Sequence, residues 1–244
     1  MDLTPERLRE RLGARPFEFH PQIGSTNDRA MAWLDEGVAG GAVVLADEQV
    51  SGRGRMQRTW YAPPGAALMV SYSLRPPPDS LGFVGMMGAL AVCETVESLG
   101  VRAGIKWPND VQIDGRKLCG VLPESAWQGA NLLGAVLGIG INVRIDFRNT
   151  QFAATAISLE TVVGAVDRID LLVKLLERLD YWSARLDSDA LSESWRDRLA
   201  MLGQRVSVNG VEGIAETVDR QGALLVREDS GVLQRMIAGD IALG

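Results

Sequence analysis

The chain of 244 residues can bury one full core, or a large core and a small one, and its 46% hydrophobic, 23% charged composition is that of a soluble globular protein. No apolar run is long enough to span a bilayer, and a formal charge of -6 lacks the basic field that non-specific nucleic-acid binding needs. The single histidine, His20, excludes zinc sites built on several histidines and removes the usual general base of a Ser-His-Asp arrangement.

The amino-terminal MDLTPERLRERLG is charged and has no secretory apolar segment, so a cytoplasmic protein is expected. Thr4 as cap, Pro5 at the first helical position and Gly13 as stop define a short helix, too small for a DNA-binding helix-turn-helix domain. FEF is strand-like, and His20 after it, ahead of Pro21, is read as incidental. In GSTNDRAMAWLDEG, Ser25 or Thr26 caps a helix to about Glu36, ended by Gly37. GAVVLADEQ is a strand, EQVSGRGRMQRTW a basic loop, and ALMVSYSLR a second strand stopped by Pro76, Pro77 and Pro78. SLGFVGMMGALAVCETVESLG is a buried core helix despite its interior glycines. VRAGIKWPNDVQIDGRKLCGVLPES reads as three strands and two turns, with Asp114-Gly115 a hairpin signal, and NLLGAVLGIGINV is a further apolar strand.

Leu172, Leu175, Leu176, Leu179 and Leu186 keep helical spacing, and ALSESWRDRLAMLG adds a second helix. From Gln204 the chain breaks into short strands, RVSVNG, EGIAETVD, ALLVRE and LQRMIAGDI, split by Asn209-Gly210, Gln221-Gly222 and Ser230-Gly231. The expected fold class is α+β: a mixed or antiparallel sheet with helices over residues 1–202, then a small SH3-like β-barrel over 203–244. Cys93 and Cys119 have no metal-type spacing and read as small buried apolar side chains.

Four stretches carry chemistry. GRGRMQ starts like GxGxxG, but Gln57 stands where the third glycine is needed and no helix follows, so it is no dinucleotide site. GIGINV fails likewise, and no GxxxxGK[ST] exists. The loop's arginines instead offer planar forks for carboxylate or phosphate, and its glycines permit close backbone approach; an exposed, solvated charge run is the competing reading. In KWPND, Asn109 and Asp110 project oxygens suited to Mg²⁺ and a polyphosphate, or simply fill a tight turn. In GRKLCG, Lys117 either points into a pocket, where it stabilises charge on a reacting phosphate, or guards a sheet edge. GSTN gathers hydroxyls and an amide at a helix N-terminus, where capping is the plainer role.

In this order, GSTN, EQxxGRGR, a tryptophan, KWPND, GRKLCG and GIGINV resemble the biotin protein ligases, from about residue 17 to 145, and the small β domain after 203 fits as well. The resemblance implies the class II aminoacyl-tRNA synthetase-like fold of biotinyl/lipoyl ligases. It also implies a two-step reaction: biotin and ATP form biotinyl-5′-AMP and pyrophosphate, then biotin passes to one lysine of a biotin carboxyl carrier domain. By the same resemblance, Ser25, Thr26, Asn27 and Gln49 contact the ureido head of biotin. Gly52, Arg53 and Arg55 cover the ligand, with Arg53 at the carboxylate and phosphate region. Arg55 and Arg58 reach ATP phosphates, and Trp60 packs beside the adenylate.

Lys117 becomes the central lysine, contacting the biotin carboxylate and the α-phosphate. Gly120 lets the strand backbone approach biotin. Lys106, Asn109 and Asp110 bind nucleotide, Asp110 takes Mg²⁺ and orients or deprotonates the acceptor lysine, and Asn142 meets the adenylate. No DNA binding and no membrane association are expected, and a sheet-edge homodimer is plausible. Where the family loop reads GRGRxGRxW, Gln57 replaces a glycine, so a stiffer closure is expected, against mutual repulsion among three arginines that favours opening. Two rivals stand: a lipoate–protein ligase, whose RRxSGGG signature is absent, and a non-catalytic binding module.

Overall fold

The computed structural model describes residues 3–243. Local signals set the first helices. Thr4 accepts a hydrogen bond from the Arg7 amide and opens α1 (Pro5–Leu12), which Gly13 closes. After β1 (Phe17–Ile23), Ser25 accepts from the Asp28 amide and opens α2 (Thr26–Asp35), and Gly37 follows in the left-handed region at φ 86°. Ser25, rather than Thr26, is the cap.

β2 (Val43–Gln49) and β3 (Ala67–Leu74) flank the basic loop, and α3 (Phe83–Glu97) follows the prolines. Then come β4 (Gly104–Lys106), β5 (Asp110–Ile113), β6 (Arg116–Gln128) and β7 (Asn131–Asn142). Asp114 and Gly115 turn β5 into β6 with φ of 49° and 72°, the paired positive values that a two-residue hairpin requires. The large sheet runs β1-β2-β3-β7-β6-β5-β4, with β1 parallel to β2 and the remaining neighbours antiparallel, so it is mixed.

The sheet's two faces divide the labour. On one, α2 packs Ala30 and Leu34 against Val44, Val136 and Ala126. On the other, α3 joins α5 (Arg168–Ser183) and α6 (Asp189–Arg196) in the main core, where Leu90, Leu172 and Leu191 meet Leu68, Val70 and Leu137. Each such leucine contributes roughly 2 kcal/mol by leaving water. A Cβ at Gly88 of α3 would sit 2.8 Å from Val121 and 2.9 Å from Leu137, so this interior glycine brings helix and sheet together. Leu186 is buried in the same core but lies beyond the end of α5.

α4 (Leu159–Val163) is a short turn of helix before α5. The expected helix over ALSESWRDRLAMLG stops at Arg196. The reason is a competing partner: the Ile105 amide donates to Arg198 O at 2.7 Å and the Ala200 amide to Ile105 O at 2.9 Å, which covers the outer edge of β4.

The second sheet is antiparallel, in the order β11-β10-β9-β8-β12. Its strands are β8 (Arg205–Val208), β9 (Val211–Val218), β10 (Leu224–Arg227), β11 (Leu233–Met236) and β12 (Ile241–Leu243). Asn209 and Gly210, at φ 51° and 84°, make the β8–β9 hairpin. LQRMIAGDI is two strands rather than one: β11 pairs with β10, and the chain then crosses to pair β12 with β8. The two sheets are tied at the KWPND turn, where the buried Trp107 donates its Nε1–H to Gly222 O at 2.8 Å.

Candidate active site

A cavity of about 280 Å³ opens on the α2 face of the large sheet. Its inner end is a polar network. The Thr26 amide and hydroxyl both donate to Gln49 Oε1, at 2.8 and 3.0 Å. Asn27 Nδ2 donates to Glu124 Oε2 at 2.6 Å and to Leu122 O at 3.3 Å. Ser71, fully buried on β3, places its hydroxyl 2.5 Å from Asn27 Oδ1 and 2.8 Å from Thr26 Oγ1.

The floor of the cavity is a stripe of glycines made by sheet register. Gly120 faces Gly140 across β6 and β7, and Leu122 faces Gly138. A Cβ at Gly138 would fall on Asn27 Oδ1. One at Gly140 would stand 2.7 Å from the Trp60 indole, and one at Gly120 3.0 Å from it. The indole therefore lies directly on the sheet backbone, an approach only glycine allows. Tyr61, Phe152 and Phe147 continue the aromatic wall, with ring centroids 5.8 and 6.5 Å apart.

Lys117 reaches the cavity because of a β-bulge. Register shifts between β5 and β6 so that Val111 faces Cys119 while Gln112 faces Lys117. Leu118 and Cys119 both enter the main core, and Lys117 turns to the opposite face. Its Nζ sits 2.8 Å from Asp110 Oδ1 and 5.8 Å from the centroid of Trp60. It is no edge lysine, since β6 lies between β5 and β7. The strand is clamped there: the Lys117 amide donates to Thr155 O at 2.8 Å, and Asn142 Nδ2 donates to Lys117 O and Ile157 O, each at 3.2 Å.

The basic loop is an ordered hairpin. Arg53 bridges Thr59, the Gly54 amide donates to Arg58 O at 2.6 Å, and the Trp60 amide to Gly52 O at 3.0 Å. Each arginine has an oxygen partner. Arg53 makes a bidentate pair with Asp28 at 2.8 and 2.6 Å and lies 3.5 Å from Glu124. Arg55 donates to Asn109 Oδ1 at 3.2 Å and Gly239 O at 3.3 Å, and Arg58 pairs with Asp240. The expected repulsion among the arginines is thus offset by acidic and carbonyl partners from three separate places. The Arg53 hydrogen bond holds the Asp28 carboxyl below its ordinary value. The left-handed backbone of the hairpin falls on Met56, at φ 53°, while Gly52 and Gly54 have no positive φ.

Of the residues singled out in the sequence, Ser25, Thr26, Asn27, Gln49, Arg53, Arg55, Arg58, Trp60, Asp110, Lys117, Gly120 and Asn142 line this one cavity. Gly52 supports Gln49 and Trp60 from behind the lining. Lys106 ends β4 opposite Asp110, and Asn109 is buried behind it, donating to Val121 O; neither lines the cavity. Arg53 stands at the Asn27 end, away from Lys117, because Asp28 and Glu124 draw it there. His20 lies off the cavity beside Glu18. Sequence reasoning missed Ser71, Glu124, Asp28, Asp240 and the aromatic segment 147–156. Alternation along ALMVSYSL was the one signal that could have drawn Ser71 to the Asn27 face.

A polar head, an apolar middle and a cationic end in one pocket suit a ligand with those three parts in that order. The comparisons with known proteins agree. The family model described as Biotin/lipoate A/B protein ligase family matches residues 19–142, and that of the biotin protein ligase C-terminal domain matches 201–244. The biotin–[acetyl-CoA-carboxylase] ligase of Paracoccus denitrificans is 34% identical over 226 residues, covering 85% of this chain and 92% of that one. The biotin–[acetyl-CoA-carboxylase] ligase of Mycobacterium tuberculosis is 33% identical over 261 residues, covering 98% and 95%. A biotin protein ligase from Aquifex aeolicus, solved in complex with biotin and ATP, aligns with a TM-score of 0.79 at 25% identity over 94% of this chain and 98% of its own. With both family models matched in order along one chain, and relatives of this identity covered almost end to end, the chain belongs to the biotin/lipoate A/B protein ligase family, among its biotin protein ligases.

Proposed function

We propose that this chain joins biotin to a carrier protein in two ATP-dependent steps. The observation that carries the reading is the order of groups along one cavity: the Thr26–Asn27–Gln49 network, the glycine stripe under Trp60, and Lys117 beside Asp110. A cyclic urea matches the first, an aliphatic tail the second once the Trp60 indole lifts off the glycines it covers, and a carboxylate the third. In the first step a carboxylate oxygen bonds to the α-phosphorus of ATP and pyrophosphate leaves. Both reactants are anions, so Lys117, Arg55 and Arg58 bring them together and stabilise charge on the transferring group. Arg53 joins them by exchanging its Asp28 partner for the ligand, as a cover closing over the site. Trp60, Asn142 and the nearby aromatic wall pack against the adenylate, with Asn109 and Lys106 supporting the nucleotide end.

In the second step the acceptor lysine attacks the acyl carbon and AMP leaves. Asp110, freed from Lys117, orients that amine or takes its proton. Among the described residues no group of three or more His, Cys, Asp or Glu is placed to hold a metal. Asp110, a carboxylate in the cavity lining beside Lys117, is suited to a magnesium ion that arrives on the polyphosphate, as Mg²⁺ commonly does. Asp110 would hold such an ion, which would supply positive charge to the phosphates. The acceptor is a biotin carboxyl carrier domain, and a cytoplasmic setting suits that substrate. No helix among the described residues is long and apolar enough to cross a membrane.

The test mixes protein, Mg-ATP, biotin and a biotin carrier domain, and probes the product with streptavidin. Labelled carrier, together with pyrophosphate exchange stimulated by biotin, is expected. Exchange stimulated by lipoate but not biotin would transfer the reading to lipoate, and no labelled carrier would leave a binding module.

A further inference from the structure

On the biotin reading above, the selectivity of the cavity head turns on a side chain behind the lining. Ser71 is fully buried in the middle of β3, between Val44 and Gly138 in the sheet. Its hydroxyl touches two of the residues that face the ligand head, Asn27 at 2.5 Å and Thr26 at 2.8 Å.

The donors and acceptors around it leave little choice. Gln49 Oε1 is fixed by the Thr26 amide, a donor that cannot rotate away, and it also takes the Thr26 hydroxyl hydrogen. The Asn27 amide is equally fixed. Its two Nδ2 hydrogens meet Glu124 and Leu122 O, and a flipped amide would press its oxygen against those two acceptors. Ser71 therefore donates to Asn27 Oδ1, its shorter contact. Two consequences follow for a ligand. Asn27 Oδ1 is held over Gly138 with a lone pair to spare, an acceptor for a ring N–H. Among the described residues Gln49 Nε2 has only the Met69 thioether, at 3.3 Å, as acceptor, and a thioether is a weak one. The amide is thus available to a carbonyl oxygen. A head that presents N–H donors beside a carbonyl satisfies both.

We propose that Ser71 is a positioning residue: its buried hydroxyl, with Glu124, locks the Asn27 amide in the orientation that reads the N–H donors of a cyclic urea. It touches no reacting atom. Its effect is on recognition of the head, which a ring without N–H, such as a dithiolane, does not present. Sites that hydrogen-bond a polar group discriminate strongly against analogues lacking it.

The experiment compares wild type, Ser71→Ala and Ser71→Cys in biotin-dependent pyrophosphate exchange, with biotin affinity measured in parallel by calorimetry. Cysteine leaves no cavity and offers only a weak donor, so it separates loss of the hydrogen bond from loss of packing. Both variants are expected to raise the biotin KM and Kd about tenfold, the scale of one lost buried hydrogen bond. They should leave kcat and the KM for ATP within about twofold. Desthiobiotin, which keeps the urea, should lose affinity by the same factor as biotin, while weak inhibition by lipoate should not change.

An unchanged biotin Kd in Ser71→Ala, beside an active wild type, overturns the inference and leaves the biotin reading intact. So does a loss spread equally over biotin, ATP and kcat, which marks a merely structural residue. A wild type with no biotin-dependent exchange overturns the biotin reading and, with it, this inference.

Discussion

At the scale of single residues, Lys117 shows how position on a strand decides chemistry. Its 37% exposed side chain and its pair with Asp110 make it a minor contributor to folding, since such pairs are worth about 0–1 kcal/mol. Its role in placing charge is larger, because removing one donor aimed at a transition state commonly costs about 10²–10³ in rate. Lys117→Ala is therefore expected to lose adenylate formation by roughly that factor in a single-turnover assay. Its urea midpoint should barely move. Turnover at the wild-type rate would remove Lys117 from the chemistry, and a large stability loss would reassign it to the fold. Lys117 itself was legible from GRKLCG. The means by which it reaches the cavity was not. Strict alternation puts Lys117 and Cys119 on one face, and only the bulge, a product of register with β5, separates them.

At the scale of elements, the basic loop is a hairpin whose stress lies one residue away from the departure in its sequence. Gln57 replaces a glycine of the family pattern, yet its backbone is helical, and Met56 carries the left-handed conformation. A non-glycine residue there costs on the order of 1–2 kcal/mol. Met56→Gly is expected to relieve that strain, hold the hairpin closed longer and slow adenylate release by up to about fivefold. Gln57→Gly relieves nothing and adds chain entropy, roughly 0.4–1 kcal/mol, so it should speed release slightly. Stopped-flow release of the adenylate from the two variants checks both signs; shifts in the same direction would sink this account. The turn residues Asp114-Gly115 and Asn209-Gly210 made their hairpins readable, because their conformations are local. The segment 143–158 was not readable. Phe147, Phe152 and Ala156 have no period, and only tertiary contact with Lys117 and Tyr61 gives them a place at the cavity.

At the scale of the whole molecule, composition foretold two buried thiols, and the core in which they sit gives them a measurable effect. Cys93 on α3 and Cys119 on β6 are both fully buried beneath the large sheet. Burial pushes the Cys93 thiol from 9.0 up to about 12, with Glu97 acting in the same direction and Arg198 against it. Burial raises the Cys119 thiol as well, partly opposed by Lys117. Unfolding releases both thiols to their ordinary value, so above pH 9 the unfolded chain sheds protons that the folded chain keeps. The contribution of these groups is complete below pH 9 and lost as pH rises through the folded value. At pH 10, one unit above the ordinary thiol, Cys93 alone should lower stability by about 1.4 kcal/mol. Tyr72, raised from 10.0 to about 12 mainly by burial, adds only about 0.4 kcal/mol at pH 10, so a measurement there reads chiefly the thiols. Urea unfolding of wild type and Cys93→Ala at pH 7.5 and pH 10 isolates the term. The variant begins less stable, because it leaves a cavity, but should lose about 1.4 kcal/mol less between the two pH values. Parallel losses in the two proteins would mean that the Cys93 thiol meets water in the folded state, and the packing of α3 against β6 would have to be redrawn.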